Sequence, residues 1–237
     1  MTVAKPKTVD RLRKVASSNA ALHHLLLQAE QLQDMVGYHR QIPDERLTLM
    51  FACAHPASDP AIETPLILQT VLGLDAAEIG SAFLVRPAAI GQRFARAKNK
   101  IKLAGIPFGV PDLAELPERL DSVLAAIYAA YASGWEDPAN AQNNLAEEAL
   151  WLARPCADLL PEEAEALGLL ALMLFLHSRC QARRSAAGEF VPPSMQDMAI
   201  WNVAMIEEAE HILRRAAAMN AVGRYQLEAA IQSAHAA

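Results

Sequence analysis

Six cations, Arg86, Arg93, Arg96, Lys98, Lys100 and Lys102, fall within 17 positions, inside a stretch from Ile79 to Pro111 that holds no Asp or Glu. Side chains of this kind at this spacing do no covalent chemistry. They neutralise a polyanion, because guanidinium and ammonium groups can replace the counterions condensed on nucleic-acid phosphates. Near the start of a helix such residues can also read bases, arginine on guanine and glutamine on adenine.

The elements that must carry them are written around them. The segment DAAEIGSAFLVRPAAIGQRFARAKNKIK, Asp75 to Lys102, predicts a short helix capped by Asp75 and a tight break at Val85-Arg86-Pro87. A longer helix follows, opened by Pro87 and closed by Gly105. Ile90, Phe94, Ala97 and Ile101 recur at helical spacing and predict an apolar stripe that packs on Ile79 and Phe83. The opposite face then carries Ala89, Gln92, Arg93, Arg96, Asn99 and Lys100. This is the layout of a helix-turn-helix whose second helix enters the major groove. Ala88, Ala89, Gln92 and Arg93 would reach base edges. Arg86 stands at the entry to that helix, and Arg96, Lys98, Lys100 and Lys102 would meet phosphates. A basic helix bathed in water within an ordinary bundle has a similar composition. The 33 residues without an acid favour the nucleic-acid reading. Gly91 works against it, since glycine inside a helix costs about 1 kcal/mol relative to alanine.

The rest of the chain predicts helices and almost no strands. Of its 237 residues 53% are hydrophobic and 5% aromatic, a composition rich in Ala and Leu that favours helix over sheet. The formal charge of −6 conceals an asymmetry: residues 1–105 carry a net +4 and residues 106–237 a net −10. The acidic half would be repelled by DNA and is expected to stand away from the duplex. Further helices are predicted to follow Ser18-Asn19 as far as Val36, and to run from Pro43 to Ala54, from Ser58 or Asp59 to Gly73, and over 117–132, 141–157, 161–181, 197–219 and 224–235. The prolines Pro107, Pro111 and Pro117 mark a domain boundary. Residues 182–194 predict a second long loop.

Other constellations carry less. Cys53 and His55, with His177 and Cys180, would form a zinc site only if the two pairs met, and neither pair has finger-like spacing; buried thiols are the simpler reading. Adjacent His23 and His24 face about 100° apart on a helix and do not converge. Paired carboxylates at Glu147-Glu148, Glu162-Glu163 and Glu207-Glu208 fit solvated faces and helix starts. No phosphate loop, GxSxG or HExxH is present, so an enzyme reading has no anchor and no cofactor is expected. Trp135, Trp151 and Trp201 are expected to anchor the core. The three cysteines fit a reducing cytoplasm. No signal-peptide pattern occurs, and no apolar run is long enough to span a bilayer.

The segment AEIGSAFLV…IGQRFARAKNKIK resembles region 4, the promoter −35-reading domain, of bacterial extracytoplasmic-function (sigma-70 class) sigma factors. IPDERLTLMFACAHPA resembles the segment before that domain in a long-form subgroup. AGIPFGVPDLAELPERLDSVLAAIYAAY, EALGLLALMLFLHSR and GRYQLEAAIQSAHA resemble that subgroup's linker and C-terminal helical extension. The likeness runs from about Thr8 to Ala236. Of region 2, Thr8 to Lys14 alone resembles a part, its final helix. The family's QD-x-x-x-W frame reads Gln196, Asp197 and Trp201, with Met198 and Ile200 where arginines are usual. Its Asn-Glu-Gly-Tyr turn reads Ala132-Ser133-Gly134-Trp135.

The resemblance implies an all-α, non-enzymatic protein: an N-terminal helical segment (1–39), a region 4-like helix-turn-helix domain (40–105), a linker (106–117) and an acidic helical extension (118–237). It implies double-stranded promoter DNA as the ligand, core RNA polymerase as a partner, and a regulatory protein on the acidic half, in the cytoplasm. Two other readings remain open at this point. One is a DNA-binding regulator acting alone, and the other is a helical protein-interaction module with a vestigial helix-turn-helix.

Overall fold

The computed structural model describes residues 42–56, 58, 60–104, 109–136, 145–185 and 187–236, with the side chains of residue 60, of 97–104 and of 135–136 excepted. The predicted N-terminal segment, including the 18–36 helix, lies outside the described residues. The described chain is all-α: α1 (Glu45–Cys53), α2 (Pro60–Thr70), α3 (Ala76–Ala82), α4 (Pro87–Ala104), α5 (Leu116–Glu136), α6 (Leu145–Leu159), α7 (Ala164–Ser178), α8 (Val203–Ala218) and α9 (Arg224–Ala236).

Local chemistry sets these boundaries. The Asp44 carboxylate accepts from the Leu47 N–H at 2.9 Å, so α1 begins two residues after the expected Pro43. Asp75 and Glu78 form a reciprocal capping box. The Asp75 carboxylate accepts from the Ala77 and Glu78 N–H groups, and Glu78 Oε2 accepts from the Asp75 N–H at 2.7 Å. Two helix starts are corrected. Residues 161–163 precede α7 rather than opening it, with Glu163 at the N-cap position. The expected 197–219 helix is split: Asp197 caps a short 3-10 turn (Met198–Ile200), and Asn202 then caps α8 by accepting from the Met205 N–H at 3.1 Å. Two successive capping side chains divide what periodicity alone joins. The helix expected over 117–132 runs on to Glu136, so the stretch Ala132-Ser133-Gly134-Trp135, which stands where the resembled family has a turn, is helical.

The acidic half is built around α7, which is buried on every side from Ala166 to Leu176. Such a helix needs cover all round, and α5, α6, α8 and α9 provide it. Of the stripe that spacing predicts on α5, Leu124, Ile127 and Tyr131 are buried in this core and Tyr128 is half-buried at its edge, while Leu167, Leu170, Met173 and Leu174 on α7 are all buried. No described helix is long and apolar enough to cross a membrane.

One hydrophobic cluster runs through both halves of the chain, from Ile42 and Phe51 to Tyr225 and Ala229. Its seam is α5, which packs on α1, α2 and α3 as well as on α6 and α7. Polar contacts stitch that seam. Buried Arg119 on α5 donates from Nη1 to the Phe51 carbonyl at 3.2 Å and from Nη2 to Glu115 Oε1 at 3.3 Å. The Ser122 hydroxyl donates to buried Glu63 Oε2 at 2.5 Å, and the Thr64 hydroxyl donates to the Ser122 carbonyl at 3.3 Å.

Candidate nucleic-acid interface

The site is carried by α3, the break after it and α4. Ile79 is fully buried and Phe83 partly so, and they meet Ile90 and Phe94, also buried, so the inward stripe forms where the spacing places it. Ala97 and Ile101 belong to the part of α4 whose side chains lie outside the description. The break is tight. The Val85 N–H donates to the Gly80 carbonyl at 2.8 Å. A Cβ on Gly80 would lie 2.6 Å from the Val85 carbonyl oxygen, closer than any side chain can approach, so the turn needs glycine there.

The turn also contains a residue that sequence reading passes over. Leu84 has φ +53 and is 97% exposed. A left-handed backbone disfavours any side chain with a Cβ, and a bare leucine gains nothing from burial. The available signal is the break itself, since a chain reversing between Phe83 and Pro87 needs a left-handed residue somewhere and Gly80 is already committed to the helix.

The outward face of α4 carries Gln92, Arg93 and Arg96, and Arg86 stands just before its first residue. Arg86, Ala88, Gln92, Arg93 and Arg96 are exposed and Ala89 is half-buried. Lys98, Lys100 and Lys102 continue the helix, with side chains outside the description. Gln92, Arg93 and Arg96 lie within about one turn of one another on one face. Among the described residues, Arg86, Arg93 and Arg96 make no ion pair. The acidic half differs: Arg119, Arg154, Arg214 and Arg224 each pair with a glutamate. α4 packs on α2 and α3, which leaves its cationic side turned away from the partners it has in the core.

Several expectations elsewhere are settled differently. Trp201 is buried, but Trp151 is 50% exposed and so is not a core anchor. The buried side of α6 is made by Ala149, Leu150, Leu152, Ala153 and Cys156, and Trp151 falls off that face. It lies instead under the Arg46 guanidinium, 4.8 Å from its ring centroid, while Arg46 pairs with Glu148. The side chain of Trp135 lies outside the description. Cys53 and Cys156 are buried, and burial pushes both thiols up to about 12, so they stay protonated and unreactive. Cys180 is exposed. Among the described residues no three His, Cys, Asp or Glu side chains gather as metal ligands. The His177 imidazole, beside the Tyr131 ring at 6.2 Å, has its pKa lowered mainly by burial.

A groove of about 830 Å³ runs beside the site, between the α3 turn and α5. A smaller cavity of about 290 Å³ lies over α6, α7 and α8; the Arg154–Glu208 ion pair stands on its wall.

Comparison with known proteins bears mainly on the acidic half. Residues 119–217, from α5 to the end of α8, match the model of a family of unknown function, DUF6596. The chain is 35% identical over 243 aligned residues to an uncharacterized protein of Rhizobium meliloti (strain 1021); the alignment takes in 99% of this chain and 57% of that protein, so the chain spans little more than half the length of the relative. No solved structure matches.

Proposed function

We propose that this chain is a sigma-factor-like transcription initiation protein that binds promoter −35-type DNA through α4. The observation that carries the reading is the set of exposed cations Arg86, just before α4, and Arg93 and Arg96 on it, which make no ion pair among the described residues, whereas Arg46, Arg119, Arg154, Arg214 and Arg224 each pair with a glutamate. Gln92 and Arg93, in the first turns, read base edges in the major groove. Arg96, Lys98, Lys100 and Lys102 neutralise phosphates and set register. The chain supplies no covalent chemistry; core RNA polymerase, in the cytoplasm, performs the synthesis. The acidic half keeps α4 presented and offers its outer surface to the polymerase or to a regulatory protein.

The test is binding to a randomised DNA duplex pool at several salt concentrations, with sequencing of the bound fraction. The expected result is a log–log salt slope of several units together with an enriched motif. Binding without enrichment would reduce α4 to a nonspecific basic helix.

A second reading has one observation in its favour. Phe190, Met195, Met198, Ile200 and Val203 are all exposed on the segment leading into α8, two of them where the resembled family carries arginines. In that reading the chain is a protein-binding module and the helix-turn-helix is vestigial. Absence of DNA binding at low salt would select it.

A further inference from the structure

A surface helix normally carries its charges on the side that meets water. α8 follows that rule, with Glu207, His211, Arg214 and Arg215 exposed. α9 does not. Its buried side, Tyr225, Gln226 and Ala229, lies on α7 with α8 beside it. Its outward side is Leu227, Ala230, Ile231 and Ala234, all exposed, with Leu227 at 58% and Ile231 at 57%. These four share one stripe, because residues three, four and seven apart fall on the same side of a helix. The one acid of α9, Glu228, and its one arginine, Arg224, stand beside the stripe and pair with each other at 2.7 Å. An acidic half of net charge −10 thus presents one helix face with no charge on it. A helix apolar on both sides is the kind that proteins bury.

The stripe is complementary to itself. Antiparallel pairing of two copies of α9, about a twofold axis midway between Ala230 and Ile231, sets Leu227 against Ala234 of the second copy at each end. At the axis Ile231 meets Ile231 on one side, and Ala230 meets Ala230 on the other. Every layer then holds large and small side chains in equal number, the arrangement that interdigitates without voids, at helix separations of about 8–10 Å. On the Ile231 side the same pairing brings Glu228 alongside His235 of the second copy, an N–H donor, and not against another carboxylate. Acidic surfaces elsewhere on this half would repel their copies.

We propose that the outward face of α9 is a dimerisation surface, occupied by α9 of a second copy in antiparallel orientation. The pairing goes beyond the DNA-binding reading and does not depend on it, because it uses no residue of α3 or α4. Its size sets its strength. A helix of 13 residues is about 20 Å long. One such pair buries less than the roughly 1,200 Å² at the low end of stable interfaces, so the dimer is reversible and forms at micromolar protein.

The test is sedimentation equilibrium of the full chain from micromolar to hundreds of micromolar. The mass should climb from one chain toward two, and Ile231→Glu, which sets two carboxylates together at the axis, should weaken association more than tenfold. Its helical circular dichroism and Tm should match the unaltered chain, since position 231 faces water in the monomer. A second measurement uses the Cys180→Ser background and mild oxidation by oxidised glutathione. Ile231→Cys should form a disulfide-linked dimer with itself, whereas Leu227→Cys should link to Ala234→Cys but not to itself. A single-chain mass at every concentration would overturn the proposal and give the face to a different partner. A dimer unmoved by Ile231→Glu would place the contact elsewhere and overturn it too. Leu227→Cys linking to itself as readily as Ile231→Cys would mean parallel helices and overturn the antiparallel pairing. If Ile231→Glu unfolds, absence of the Ile231→Cys link overturns the proposal.

Discussion

At the residue scale the molecule divides its cations by their surroundings. Arg93 and Arg96 sit one turn apart on α4, yet the proposed function gives them different work. Replacing Arg93 by alanine should weaken the best duplex more than random DNA, by about 1–3 kcal/mol for a lost bidentate base contact. Replacing Arg96 should weaken all sequences alike and lower the salt slope by about one. Quantitative binding at three salt concentrations distinguishes the two, and equal losses from Arg93→Ala on all sequences would remove it as a base reader. His177 gives a second prediction. Burial holds its pKa below the ordinary histidine value of about 6.5, so the folded state binds this proton less readily than the unfolded state. The stability it confers is present above pH 6.5 and is lost as the pH falls through that range. His177→Gln should therefore show a smaller drop in Tm between pH 7.5 and 5.5 than the unaltered chain. Much of this scale was legible in advance. Helical spacing alone put Ile90 and Phe94 inside and Arg93 outside. It could not foresee what Trp151 meets, because Arg46, whose guanidinium lies over its ring, is 105 positions away.

At the element scale, two glycines of the helix-turn-helix should answer substitution in opposite senses. Alanine at Gly80 would drive its methyl into the Val85 carbonyl, an overpacking that costs about 1–3 kcal/mol. Alanine at Gly91 meets nothing within 4 Å and should stabilise the chain by about 1 kcal/mol through helix propensity. Thermal unfolding of the two variants gives both signs in one experiment, and a stabilised Gly80→Ala would mean that the turn relaxes freely. Capping chemistry made α3 readable from Asp75 and Glu78, since every partner lies within three residues. Spacing puts the starts of α7 and α8 too early because each has more than one capping residue within a few positions.

At the scale of the whole molecule, the predicted proline-rich boundary joins halves that share a core. Leu116, at its edge, is fully buried, and Arg119 reaches back to the Phe51 carbonyl. The expected outcome in a calorimeter is one cooperative transition for the described chain. Arg119→Met should lower its midpoint without splitting it, at a cost of about 1.5–3 kcal/mol for a lost charged hydrogen bond. Two resolved transitions would show that the halves unfold separately. No sequence pattern announces this seam: Arg119 and Phe51 lie 68 positions apart, and local periodicity says nothing of pairs so remote. The opposite net charges of the two halves point toward separation, whereas the apolar surface of α5 joins them.

The encased α7 has a consequence during synthesis. When the ribosome has released Ser178, this apolar rod is already outside the tunnel, while α8 and α9, which must wrap it, are still being made. At about 5–20 residues per second, the rod waits several seconds with α5 and α6 alone to cover it. In that interval it offers a long greasy ligand to chaperones and to other nascent chains, so the yield of soluble protein in a cell should depend on how quickly the stretch from Arg179 to Ala236 is translated.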